Sequence, residues 1–297
     1  MKKIADYING NAHIVMYEDG TRIMETDDVG FNFKYPTNND VTITHKCSQG
    51  CPYCYLGCTP EGKHADLSAK FLDTINAGAE LAINLNDMDH PQLDEFLERM
   101  KSQGVFVNGT VNQAQFMVNY ERLKRLCREK LLWGVGVSLR EPDDEFISKI
   151  QEFPNAVIHV INGILKPDDI EKLRDRGLKL LILGYKDLNR GVSYREENSG
   201  TVSLRQRYLK DVLASMVSHF ACISFDNLAI EQLNVRETLK DFIADWDEVY
   251  QGDEGSSTFA VDLVDGTFGV NSMATGDDTY LIMDDIRDMF KVIKSHV

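Results

Sequence analysis

A chain of 297 residues is long enough to bury a sizeable core and can still be one domain, because α/β barrels reach this length. Hydrophobic residues make up 43% and charged residues 27%, the balance of a globular protein. A formal charge of −15 argues against general binding to a phosphate backbone, which needs clustered Lys and Arg, and no apolar run is long enough for a membrane span.

The start, Met1-Lys2-Lys3-Ile4-Ala5-Asp6-Tyr7, lacks the apolar segment of a signal peptide. Three of the 6 cysteines stand together, a pattern that fits metal binding in a reducing cytosol and not a secreted disulfide framework. A cytoplasmic location is therefore expected. Residues 1–30 read as a cap. Ile14–Tyr17 and Thr21–Met24 flank Glu18-Asp19-Gly20, and Asp-Gly is a strong hairpin turn signal. Residues 26–40, with Pro36, read as a linker into the first core strand.

From Val41 strand and helix signals alternate. Val41–Thr44 is a strand that enters a cysteine loop, and Leu67–Ala77 has helical spacing. Glu80–Leu85 reads as a buried strand, and Pro91–Gln103 as a helix with Pro91 in its first turn. Strands over Val105–Val107, Leu131–Val137, Val157–Ile161 and Leu178–Leu183 alternate with helices over Gln113–Glu129, Asp143–Glu152 and Pro167–Arg176, the last ended by Gly177. Residues 187–200 read as a polar loop, Leu204–His219 as a helix and Ala221–Phe225 as a short strand. A second hairpin is predicted around Asp265-Gly266, and Tyr280–Ile293 is a closing helix.

Six β-then-α units in register imply parallel strands with right-handed crossovers. The fold class is thus α/β: an open, partial (β/α)6 barrel over residues 31–235, with an N-terminal β-hairpin and a C-terminal α+β extension, 236–297, placed as a lid or a barrel-closing appendage.

In such folds the functional loops follow the strand C-termini. Those positions hold Cys47, Cys51 and Cys54, then Asn84 and Asn86, Asn112, Ser138 and Arg140, and Asn162-Gly163. Each has a plainer reading. Asn84, Asn86 and Asn112 are good helix caps. Ser138 and Arg140 suit a solvated turn, and Gly163 suits a turn with positive φ. His159, in an apolar strand, reads as a core histidine bonded to the backbone, and His90 and Cys127 as structural. Asp226, Asn227, Glu231 and Gln232 follow the last short strand and are the catalytic or substrate-contact candidates, set against a capped, solvated turn. Arg190 and Arg195 read either as surface charge or as contacts to an anionic substrate.

The cysteines form Cys47-Ser48-Gln49-Gly50-Cys51-Pro52-Tyr53-Cys54, a Cys-x₃-Cys-x₂-Cys pattern with an aromatic before the last Cys. Three thiolates from one loop can hold three irons of a [4Fe–4S] cluster and leave the fourth iron open. A structural zinc site needs a fourth ligand, and Cys58 offers one. The pattern resembles the signature of the radical S-adenosylmethionine (SAM) superfamily, and the β/α array that follows resembles its partial barrel. Within the superfamily, Tyr17-Glu18-Asp19-Gly20-Thr21 and Phe225–Leu233 resemble a phage and bacterial group to which no substrate is attached.

The resemblance implies a [4Fe–4S] cluster on Cys47, Cys51 and Cys54 and SAM chelated to its open iron. One electron from an external reductant of flavodoxin or ferredoxin type would cleave SAM to a 5′-deoxyadenosyl radical, which abstracts hydrogen from a small-molecule or peptide substrate. Contacts to SAM would come from Tyr53, Asn84, Asn86, Asn112, Ser138, Arg140, Asn162 and Gly163. Family members commonly carry a Gly-Gly-Glu-Pro-like segment after strand two. Aligned on His90-Pro91, this chain has Asn84-Leu85-Asn86-Asp87, which leaves Asn86 or Asp87 to meet the methionine ammonium. The alternatives are a non-catalytic iron–sulfur or zinc sensor, with Cys58 as fourth thiolate, and an activase that places a glycyl radical on a partner. With Cys58, Cys127 and Cys222 scattered, one cluster per chain is expected.

Overall fold

The computed structural model describes residues 2–296. Strands β1 (Lys3–Asn9), β2 (Ala12–Tyr17) and β3 (Arg22–Glu25) form a small antiparallel sheet. The predicted hairpin is β2–β3, and β1 adds a strand that the polar Asp6 and Asn9 had concealed.

The main sheet holds β4 (Asn38–Thr42), β5 (Glu80–Asn84), β6 (Phe106–Asn112), β7 (Gly134–Ser138), β8 (Ala156–Ile161), β9 (Lys179–Leu183), β10 (Cys222–Phe225), β11 (Thr258–Asp262), β12 (Thr267–Gly269) and β13 (Thr279–Leu281). Their order is β10-β9-β8-β7-β6-β5-β4-β11-β12-β13. β4 to β10 run parallel, and β11 pairs parallel with β4 on its other side. β12 and β13 follow antiparallel. Among the described residues the edges β10 and β13 do not pair, so the barrel is open.

The strands alternate in burial because their faces meet different media. Ile158, Val160, Leu180 and Ile182 point outward and are buried under helices. Asn108, Thr110 and Asn112 on β6, and Asp40 and Thr42 on β4, point inward and are half-buried or exposed to an internal cavity. The helices supply the outer layer through faces spaced three and four apart, such as Leu93, Phe96, Leu97 and Met100 on Leu93–Ser102. Phe116 packs edge-on against Tyr120 and Phe146 in the same layer.

The small sheet closes the N-terminal end of the barrel. Asn155 donates to the Glu18 carbonyl at 2.9 Å, Lys179 to the Asp19 carbonyl at 3.2 Å, and Arg22 pairs with Glu80 at 3.1 Å. Functional access is therefore from the opposite, C-terminal end of the strands.

Several local expectations change. Leu67–Ala77 holds only a 3₁₀ segment, Lys70–Thr74, because the chain is extended on both sides of it, at Ala69 and Ile75. The helix over 113–129 is two, Gln113–Val118 and Tyr120–Arg128, broken at Asn119. The polar loop 187–200 contains a helix, Arg190–Glu197. The closing helix starts at Ile286, since Thr279–Leu281 is β13. No helix among the described residues is long and apolar enough to cross a membrane.

Candidate functional site

β4 ends at Thr42 and the chain is caught at once by β5. Asn84 accepts from the Ile43 amide at 2.8 Å and donates to the Thr44 carbonyl at 2.7 Å. Residues 43–65 then fold back on themselves. Cys47 N–H donates to the Thr59 carbonyl at 2.8 Å, Thr59 N–H to the His45 carbonyl at 3.1 Å, and Ala65 N–H to the Ile43 carbonyl at 2.9 Å. This ribbon carries the cysteines. Gly50 turns it with φ +57°, a left-handed value that glycine adopts without strain. The Cys54 N–H closes a turn onto the Cys51 carbonyl at 3.2 Å.

The helix Arg190–Glu197 holds the loop from the far side. Arg190 donates from Nε to the Cys51 carbonyl and from Nη2 to the Cys58 carbonyl, each at 3.0 Å. Asn189 donates to the Tyr55 carbonyl at 2.6 Å. Lys186 Nζ lies 4.2 Å from the centre of the Tyr55 ring.

The thiols are not equivalent. The Cys58 thiol donates toward Cys54 and, helped by backbone donors and the Arg190 charge, holds Cys54 down at about 5, against the pull of burial. Cys58 is pushed up correspondingly by its bond to Cys54 and by burial, and its sulfur accepts from Asn86 Nδ2 at 3.4 Å. Burial pushes the Cys51 thiol up, with Cys54 and Cys47 adding, while Arg140 and Arg190 pull it back.

Beneath the loop lies a cavity of about 1620 Å³ enclosed by the strands. Cys47, Cys51 and Cys54 line it, together with Tyr53, Asn84, Asn86, Asn112, Ser138, Arg140 and Asp226. Three of these are also committed to the scaffold. Asn84 serves the ribbon as above, Asn112 caps the helix Gln113–Val118 through Gln115 N–H at 2.9 Å, and Asp226 accepts from Ala229 N–H and Gly184 N–H at 2.8 Å each. The Asn86 side-chain oxygen has no partner among the described residues.

Asn162, Gly163, Asn227, Glu231 and Gln232 stand outside the lining. Asn162 is buried and donates to Gln232 at 3.0 Å, and Gln232 bridges the N–H and carbonyl of Tyr185 at 2.9 Å each. Gly163 turns at φ +94°, with Val202 2.9 Å from where a Cβ would sit. Asn227 donates to the Gly252 carbonyl at 3.3 Å, and Glu231 is exposed.

His159 is not the backbone-bonded core histidine that its strand suggested. It lines the cavity without a hydrogen bond among the described residues, and Gly136 leaves it room, since a Cβ there would stand 2.4 Å from the ring. Burial lowers its pKa to about 4, so it is neutral at pH 7. His90 does have the structural role read for it, meeting the Ala65 carbonyl at 3.2 Å. Asp40, which no motif in the sequence singles out, also faces the cavity from β4. Its one signal was its position, an acidic residue on the strand that feeds the cysteine loop.

Fold and site together define an open parallel α/β barrel with a three-thiol loop over its C-terminal mouth. No family model matches the sequence, and no curated protein does. Solved structures share the fold. Streptococcus suis SuiB is superimposed over 99% of this chain and 87% of its own, with TM-score 0.63 and 10% identity. SuiB bound to its precursor peptide SuiA matches over 98% of this chain and 88% of its own, with TM-score 0.61 and 11% identity. SuiB bound to S-adenosylmethionine matches over 88% of this chain, which spans 66% of that SuiB chain, with TM-score 0.56 and 10% identity.

Proposed function

We propose that this protein is a radical SAM enzyme of the superfamily group suggested by its sequence. Cys47, Cys51 and Cys54 would hold a [4Fe–4S] cluster and SAM would occupy the adjoining part of the cavity. The observation that carries the reading is the three thiols on one loop at the open end of a barrel cavity. The residues fit that group. Cys54 is already disposed to be a thiolate, and Arg140 and Arg190 bring positive charge against the Cys51 side of the loop. A shared fold with a protein whose structure holds SAM supports the same reading.

When bound, the cluster would supply the electron for reductive cleavage of SAM. The chain's own residues bind, orient and shield. The open Asn86 oxygen suits the methionine ammonium, and Arg140 suits its carboxylate. Tyr53, Asn112, Ser138 and the neutral His159 offer hydrogen bonds around the ribose and adenine. The small N-terminal sheet covers the cavity from below, held there by the bonds from Asn155 and Lys179. The electron would come from a flavodoxin- or ferredoxin-type donor. The substrate would be a small molecule or peptide.

Anaerobic reconstitution is the test. The protein should take up about four irons per chain and, with dithionite and SAM, release 5′-deoxyadenosine. Cys51→Ala should lose both. A Cys51→Ala protein that keeps full iron and still cleaves SAM would end the proposal.

The contact between Cys58 and Cys54 favours a second reading, a non-catalytic site with four thiolates. Under it Cys58→Ala loses the metal, whereas under the first reading that variant keeps its iron.

A further inference from the structure

One layer of the barrel's inner face is built mostly of small residues. Along the strand register Gly269 stands beside Ala260, Ala260 beside Asp40, Asp40 beside Ala82, and Ala82 beside Asn108. All of them line the cavity. Asn108 is occupied, donating to Glu80 at 3.1 Å. Asp40 is left as the one charged group of the layer, with space on both flanks where Ala82 and Ala260 present only a methyl.

The Asp40 carboxyl has no hydrogen bond or ion pair among the described residues, only charges at a distance. Its side chain is exposed to the cavity, and the surrounding barrel wall raises its pKa. Asp226 and Glu254 add negative potential there, and Lys186 alone opposes them. Lys186 is already committed, donating to Ser272 at 2.7 Å and lying against Tyr55. A cation brought beside an unpaired carboxylate on a cavity wall gains a charge-assisted hydrogen bond. The surrounding field has the sign that attracts such a cation.

We infer that Asp40 anchors a primary ammonium group of the substrate, seated between β11 and β5 in the space left by Ala82 and Ala260. The inference rests on the reading of the cavity as a substrate chamber and narrows the substrate to an amine. A free alkylamine and a lysine side chain of a peptide share that chemistry.

Equilibrium dialysis at pH 7.5 tests it, on reconstituted protein and on cluster-free protein, with radiolabelled n-butylamine, n-butanol, butyrate and the blocked peptide acetyl-Gly-Lys-Gly-amide as probes. Wild-type protein should retain n-butylamine at least about tenfold better than n-butanol or butyrate, as one enclosed charge pair would give. Peptide retention equal to or above that of butylamine would assign a peptide source, and weaker retention a free amine. Asp40→Asn should reduce amine retention about tenfold while iron content stays within about twofold. Ala82→Leu keeps the carboxylate but fills the space beside it, and should also lose the amine. Should Asp40→Asn fail to fold, that variant decides.

Retention of butylamine by either variant at the wild-type level overturns the inference. So does a wild-type protein that holds butylamine no better than butanol. Failure to load iron or cleave SAM would instead strike the enzyme reading, and dialysis on cluster-free protein would still report on Asp40.

Discussion

Arg190 ties the cysteine loop to a helix far along the chain, with partners 139 and 132 residues away. No local spacing signals a contact of that range, so the sequence offers Arg190 only as surface charge or as a contact to an anionic substrate. A charged donor to a carbonyl contributes about 1.5–3 kcal/mol when shielded from water, and Arg190 makes two such bonds to carbonyls that bracket the thiols. Arg190→Ala should retain less than about half the iron of wild type after reconstitution and desalting. Arg190→Lys has one donor centre in place of a fork and should recover only part of the loss. Equal iron in wild type and Arg190→Ala would show that the clasp is dispensable. His159 gives a second prediction at this scale. Its pKa falls from 6.5 to about 4 in the folded protein through burial. Between those values the unfolded chain binds the proton and the folded one does not. Stability is therefore full above pH 6.5 and declines as pH falls toward 4. The imidazole touches cavity solvent, so the loss by pH 5 is set at about 1–2 kcal/mol, below the full value of the shift. Urea unfolding at pH 7.5 and 5.0 should show wild type losing that much more than His159→Gln. Parallel losses would mean that the ring is not buried as described.

The elements were legible where one face is apolar and illegible where the barrel interior is polar. β8 and β9 show apolar outer residues at period two and were read to within a residue or two. β6 runs on through Asn108, Gly109, Thr110 and Asn112, residue types mostly disfavoured in strands, and was therefore cut short. Asn108, Thr110 and Asn112 are inward because the interior holds a cavity and not a packed core. The helix Arg190–Glu197 was concealed for another reason. Its Gly191 is a poor helix former, but it lets the backbone approach Lys186, whose carbonyl would stand 2.4 Å from a Cβ, and the Tyr185 hydroxyl donates to the Gly191 carbonyl at 2.7 Å. The cysteine ribbon depends on a similar approach. A Cβ on Gly62 would stand 2.1 Å from the His45 carbonyl oxygen, and that neighbour is backbone that cannot rotate away. Gly62→Ala should separate the two sides of the ribbon, cost about 1–3 kcal/mol, and speed loss of iron to a ferrous chelator. Gly200→Ala, with nothing within 4 Å of the added methyl and a helical position, is the control and should be neutral or slightly stabilising. Chelation rates that do not differ between the two variants would show that the ribbon tolerates the insertion.

At the scale of the molecule, the region after residue 236 is woven into the barrel. β11 lies beside β4, the strand that delivers the cysteines, in register from Thr258 against Asn38 to Asp262 against Thr42. The Leu263 N–H also donates to the Thr42 carbonyl at 3.0 Å, the last bond before the cysteine loop begins. The sequence set this region apart because parallel pairing of β11 with β4 joins segments with most of the chain between them, and neither segment's local pattern records that partnership. Phe259, Val261, Phe268, Ile286, Met289, Phe290 and Ile293 are each no more than 2% exposed and share the core with the rest of the barrel. At roughly 1.5–3 kcal/mol for each buried side chain, their combined contribution is on the order of the entire 5–15 kcal/mol stability of a typical domain. A chain ending at Gln251 should therefore lack a cooperative thermal transition and bind no cluster, because removing β11 leaves β4 as a bare sheet edge. Calorimetry and iron analysis of that truncation distinguish the two cases. A truncated chain that melts cooperatively and still takes up about four irons would make the C-terminal region a separable appendage, and the cysteine loop independent of the strand beside it.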